Sequence, residues 1–142
     1  VESPIIDEMN ILRASLHAMA LAVKELSQEP DYLLIDGNHL PPTQIVSKAV
    51  IKGDSRSVSI GAASIIAKHT RDLLMIEYHE KFPHYGFNQH KGYGTKMHIE
   101  ALKTHGPCPI HRASFEPVKS LTTPRDLSIN KTLPGMELFD DA

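Results

Sequence analysis

Apolar positions recur along the chain at two different periods. Ile5, Met9, Leu12, Leu16, Ala20 and Val23 follow a three-to-four-residue spacing, which predicts a helix opened by Ser3-Pro4 and ending near Ser27, with His17 and Glu25 on its solvent side. Two short β-branched and apolar runs at residues 32–35 and 45–51 predict strands, separated by a loop over 38–43 whose Pro41-Pro42 pair forbids continued pairing. The helical period returns from about Ser59 to Phe82, and Ile60, Ala63, Ile66, Ala67 and Leu74 mark a face of mostly small residues suited to packing on a sheet. Phe82-Pro83 stops that helix, and residues 84–94 read as an irregular loop of Gly, His and aromatics. Thr95 then caps a helix over 96–105, with Met97, Ile99 and Leu102 as its buried candidates and Gly106-Pro107 as its stop. Residues 1–121 thus form one domain, and the polar stretch 122–142 is expected to be a loosely packed tail.

Both predicted strands run into an acid beside a glycine: Asp36-Gly37 after the first, Gly53-Asp54 after the second. Ligands of open α/β sheets sit outside the carboxyl ends of the strands, so Asp36 and Asp54 are placed to face each other across such a crevice. Two converging carboxylates suit a hard divalent cation. Lys52 and Arg56 flank Asp54 and favour its ionised form. Either acid taken alone is equally well read as a turn or capping residue.

Composition narrows the picture only a little. A hydrophobic content of 41% with 23% charged residues is ordinary for a soluble domain. No apolar run approaches a membrane span and no signal segment is evident, so the expected setting is cytoplasmic. The single cysteine, Cys108, has no disulfide partner and no metal-finger spacing. A net charge of −2 argues against a simple basic nucleic-acid binder, yet Lys and Arg against Asp and Glu count +2 and −7 over residues 1–47, then +11 and −6 over 48–119. A basic middle that carries metal-binding acids fits a phosphate-backbone ligand.

Four blocks, LLIDGN, VIKGDS through AASIIAKHTRD, HKGYGT and PIHRASFEPVK, occur in this order. Together they resemble bacterial ribonuclease HII, the type 2 ribonuclease H family, over residues 6–121. The resemblance implies a ribonuclease H-like α/β fold, a mixed central sheet flanked by helices. It implies an endoribonuclease that hydrolyses the RNA strand of RNA–DNA hybrids and cuts 5′ to ribonucleotides embedded in duplex DNA with two Mn²⁺ or Mg²⁺ ions. It further implies a monomer in the complete form. Carried onto this chain, it makes Asp36 and Asp54 catalytic metal ligands, with Asp72 the rival to Asp54, and it makes Tyr93 the residue that stacks on the sugar beside the cleavage site. Lys91, Lys96 and His90 become phosphate contacts. By residue type Arg112 reads as a phosphate or carboxylate contact, Phe115 as a core residue and His111, one of nine histidines without metal spacing, as a structural one. The family also opens with a strand bearing Asp-Glu and Gly-Arg-Gly, and no matching segment is present here; Asp7-Glu8 lies at the start of a helical pattern and corresponds to a later family segment. The expectation is therefore a carboxyl-terminal part lacking the first strands, with a non-cleaving nucleic-acid binder, or a piece needing its amino-terminal complement, as the alternatives.

Overall fold

A computed structural model describes residues 1–121; the tail expected over 122–142 lies outside the described residues. Helices α1 (Ser3–Met9) and α2 (Ile11–Lys24) lead into strands β1 (Leu33–Asp36) and β2 (Ser47–Val50), a 3-10 turn at Gly53–Ser55, and the long helix α3 (Val58–Lys81). A second 3-10 turn at Pro83–Tyr85 is followed by α4 (Phe87–His90), α5 (Lys96–His105) and α6 (Val118–Leu121). The two strands pair in parallel, from Leu33 opposite Ser47 to Asp36 opposite Val50. Helices around parallel strands give the α/β class, and among the described residues the sheet has these two strands.

The single first helix is corrected to two. Asn10 takes φ 70°, breaks the backbone, and caps α2 by accepting a hydrogen bond from Arg13 N at 3.1 Å. Asparagine tolerates the left-handed region and its side chain replaces the missing helical acceptor, so one residue ends one helix and starts the next. The loop expected over 84–94 likewise contains the short turn and α4. The helix over Lys96–His105 starts and stops where expected, with the Thr95 hydroxyl accepting from His98 N.

Packing is concentrated at one end of the molecule. Met75, Tyr85, Phe87, Leu102, Cys108 and Val118 form the core between the carboxyl-terminal half of α3 and α4, α5 and α6, with Phe87 only 1% exposed. The face of α3 expected to pack on a sheet does not: Ile60 is buried, but Ile66 is 67% exposed, and Ala63, Ala67 and Leu74 are exposed too. Helix α3 is held at its two ends, on the Gly53–Ser55 turn and β1 at the first and on Pro83–Tyr85 and α4 at the second. Two strands are too few to cover its middle. Phe115, expected in the core, is 57% exposed beneath the Arg112 guanidinium, 4.1 Å from its ring centroid. Met97 is also exposed, because α5 turns His98 and Leu102 inward instead.

Helix α1 is fastened to the far end of the chain by polar contacts. The Asp7 carboxylate accepts from Ala113 N at 2.7 Å, from Ser114 N at 3.1 Å and from the Ser114 hydroxyl. The Ser3 hydroxyl donates to the Ile110 carbonyl at 2.5 Å. Asp7 is thus a structural clasp between α1 and the segment around Ser114.

Candidate active site

The first cluster grows from the parallel strand ends. Parallel pairing brings Asp36 beside Val50, and the chain then turns through Lys52, whose φ of 54° is left-handed, into the Gly53–Ser55 turn. Asp36 Oδ1 accepts from Gly53 N at 2.7 Å, which sets the Asp36 carboxylate against the residue that precedes Asp54. Glycine keeps this approach tight: a Cβ on Gly53 would stand 3.2 Å from Asp36 Oδ1 and 2.6 Å from Ile60 Cδ1, so that both side chains would have to shift. Asp54 Oδ1 accepts from Ser55 N at 2.8 Å, and a Cβ on Gly61, one turn into α3, would lie 2.9 Å from the Asp54 carbonyl. Both carboxylates are exposed, and among the described residues each keeps one oxygen outside any hydrogen bond or ion pair. Arg56 does not pair with Asp54 as its position suggests; it donates to the Ile51 carbonyl at 3.2 Å.

The second cluster surrounds Tyr93, which is 62% exposed. Arg71 donates to the Lys91 carbonyl at 2.8 Å and places its guanidinium 5.4 Å from the Tyr93 ring centroid, within cation–π range. Asp72, the rival ligand, instead pairs with Lys68 at 2.5 Å along α3. The hydrogen bond from Lys68 holds the Asp72 carboxyl below its ordinary range. Lys91 is half-buried, with its ammonium donating to the Asn88 carbonyl at 2.5 Å, whereas Lys96 is exposed and 4.0 Å from Glu100. A cleft of about 620 Å³ is lined by Arg71, Gly92, Gly94 and Arg112 among others, so Arg112 and the glycines flanking Tyr93 share one surface.

Beneath this loop lies a cluster of histidines of which the sequence suggested only the structural role of His111. His90, His98 and His111 are all buried, which corrects His90 from a phosphate contact to an internal residue. His98 Nε2 lies 3.0 Å from His111 Nε2, and His90 and His98 stack with ring centroids 4.4 Å apart. Burial lowers the His98 pKa, and burial together with the neighbouring His98 pushes His111 down to about 4. Burial also pushes the Cys108 thiol up to about 11. The one available signal was the i, i+4 spacing of His98 and Leu102 on α5, which puts both on one face.

With these positions established, the comparison with known proteins is decisive. The ribonuclease HII family profile matches residues 1–118. The chain belongs to the ribonuclease HII family. It is 58% identical over 116 residues to the ribonuclease HII of Chlamydia caviae, covering 82% of this chain and 54% of that relative. Against the ribonuclease HII of Syntrophus aciditrophicus it is 56% identical over 127 residues, 89% of this chain and 59% of the relative. Against that of Nitrosococcus oceani the identity is 53% over 118 residues, 83% and 59% of the two. The chain therefore spans a little over half the length of these ribonuclease HII relatives. No helix among the described residues is long and apolar enough to cross a membrane.

Exposed carboxylates with one oxygen steadied by a backbone N–H and the other open are hard oxygen donors of the kind that Mg²⁺ and Mn²⁺ take. Asp36 and Asp54 fit such an ion in donor chemistry. Among the described residues, no group of three or more His, Cys, Asp or Glu side chains is arranged to hold a metal.

Proposed function

We propose that this chain carries the strand-end carboxylates and the nucleic-acid-reading loop of a type 2 ribonuclease H, acting in a cytoplasmic setting. On this reading the RNA strand of an RNA–DNA hybrid, or the bond 5′ to a ribonucleotide embedded in duplex DNA, is hydrolysed to a 5′-phosphate and a 3′-hydroxyl. The observation that carries the reading is the corner in which Asp36 accepts from Gly53 N at 2.7 Å, directly before Asp54. Asp36 and Asp54 would hold Mn²⁺ or Mg²⁺, which supplies an activated water and charge stabilisation at the scissile phosphate when bound. The chain's own residues do the rest. A single backbone N–H bond to one oxygen of each carboxylate steadies it and leaves the other oxygen for the ion. Tyr93 offers an exposed ring to the sugar, and its 2′-hydroxyl is the group that distinguishes RNA from DNA. On this reading Arg112, Lys96 and Lys91 are the phosphate contacts.

A second reading is favoured by the absence, among the described residues, of any metal-competent group of three. Here the chain binds hybrid duplex and cleaves only when an amino-terminal family segment supplies further carboxylates. One experiment separates the two: cleavage of a DNA duplex containing one ribonucleotide, with Mn²⁺ or Mg²⁺, by the chain and by its Asp36→Asn variant. Cutting 5′ to the ribonucleotide that disappears in the variant establishes the first reading. Activity that appears only when the amino-terminal segment is added establishes the second, and no cutting under either condition refutes both.

A further inference from the structure

The buried histidines form a chain of hydrogen bonds with one consistent direction. His111 Nδ1 lies 3.0 Å from Cys108 N, 3.1 Å from Cys108 Sγ and 3.2 Å from the Cys108 carbonyl. The direction is set from the other end, where the Tyr93 carbonyl can only accept, so a neutral His98 carries its proton on Nδ1 and donates it there at 3.0 Å. His111 carries its own proton on Nε2 and donates to His98 Nε2 across 3.0 Å, and His111 Nδ1 accepts from Cys108 N. His90 is set independently: its Nδ1 accepts from Gly92 N at 3.2 Å and its Nε2–H donates to the Tyr85 carbonyl at 2.6 Å. The stacked His90 ring, 13° from coplanar with His98, closes the other side.

This chain ends on the one residue of the loop that most needs holding. Tyr93 lies between Gly92, with φ 81°, and Gly94, and such flanks let a backbone segment swing. Its carbonyl is gripped twice, by Thr95 N at 2.8 Å and by His98 Nδ1, while its own N–H donates to the His90 carbonyl at 2.8 Å.

We propose that His98 is a positioning residue for Tyr93, its imidazole held in the Nδ1–H tautomer by His111 so that it fixes the Tyr93 carbonyl and thereby the exposed ring. The role of that ring in substrate contact rests on the function proposed above; the positioning does not. Two facing Nε2 atoms can share one hydrogen only if one of them is unprotonated, and the burial that lowers both histidines favours the neutral pair at neutral pH.

The test uses the 142-residue chain labelled with ¹⁵N and ¹³C. Long-range proton–nitrogen spectra of the wild type at neutral pH are expected to show His98 protonated at Nδ1 and His111 at Nε2. A His98 proton on Nε2 overturns the proposal without any variant having to fold. His98→Asn keeps an amide donor near the position of Nδ1, whereas His98→Gln reaches toward that of Nε2. The Tyr93 carbonyl resonance is therefore expected to move in His98→Gln and to stay near wild type in His98→Asn; equal behaviour of the two variants overturns the proposal. In metal-free binding to a duplex with one ribonucleotide, His98→Gln is expected to lose about three- to tenfold, Tyr93→Ala a similar factor, and the double variant little more. If the Tyr93 resonance responds as stated while Tyr93→Ala leaves binding unchanged, the substrate reading of Tyr93 falls and the positioning by His98 stands.

Discussion

The two ends of α3 hold their polar groups in opposite ways. At the amino-terminal end Asp36 and Asp54 are exposed and steadied by single backbone N–H bonds, on a two-stranded sheet that leaves Ile66 two-thirds open to solvent. At the carboxyl-terminal end Met75 joins Phe87 and Leu102 in a closed core, and His98 and His111 are buried in a network anchored on backbone atoms. The first arrangement keeps carboxylate oxygens available to an ion and solvent. The second gives up availability for a single conformation, because a buried polar group without its partners is costly. The metal-binding and loop-positioning roles proposed above thus draw on different physical supports within one helix length.

The largest break in this contrast is expected from core truncation. Phe87→Ala should cost about 3–5 kcal/mol in urea unfolding, whereas Ile66→Ala should stay within about 0.5 kcal/mol. Similar losses for both would mean that the middle of α3 is covered in solution. Acid comes next. His111 is neutral in the fold with a pKa near 4, below its ordinary 6.5, so the unfolded chain takes up the proton first. The stability it contributes is complete above pH 6.5 and is lost as the pH falls toward 4, on the order of 2–3 kcal/mol for this one group. Urea midpoints measured between pH 7.5 and 4.5 should decline in the wild type and decline less in His111→Gln.

Gly61→Ala probes the opposite end. Alanine favours a helix over glycine by about 1 kcal/mol, but a Cβ 2.9 Å from the Asp54 carbonyl presses on backbone that cannot swing aside. A net loss of about 1–2 kcal/mol is expected, with displaced amide resonances at Asp54 and Ser55; a raised midpoint would show that the turn is loosely seated. The smallest effect is expected at the rival acid. Asp72→Asn removes an exposed pair with Lys68 and should leave both the melting midpoint and Mn²⁺ affinity unchanged, whereas Asp36→Asn and Asp54→Asn should each weaken Mn²⁺ binding in calorimetry. Loss of Mn²⁺ affinity in Asp72→Asn would transfer the ligand role from Asp54 to Asp72.

Much of this was legible where a signal is local. Thr95 and Gly106 bracket α5 where expected, Asp36 ends β1 beside Gly37, and Asp54 follows Gly53 in the turn after β2, since caps and turns act over a few residues. Asn10 was passed over because its neighbours keep a helical apolar period straight through the break. Phe115 was placed in the core on residue type alone, yet the segment carrying it turns outward and offers its ring to Arg112.

By itself the amino-acid sequence determined the family, the two strands, the helices α3 and α5, and that an acid follows each strand. All of these rest on residue type and on spacing along the chain. Only the tertiary structure decided that Asp7 would clasp Ser114 from the opposite end of the domain, that the middle of α3 would stand open, and that three histidines would meet beneath Tyr93. Those outcomes depend on which distant groups are left to satisfy each buried donor and acceptor, and that pairing exists only once the elements have packed.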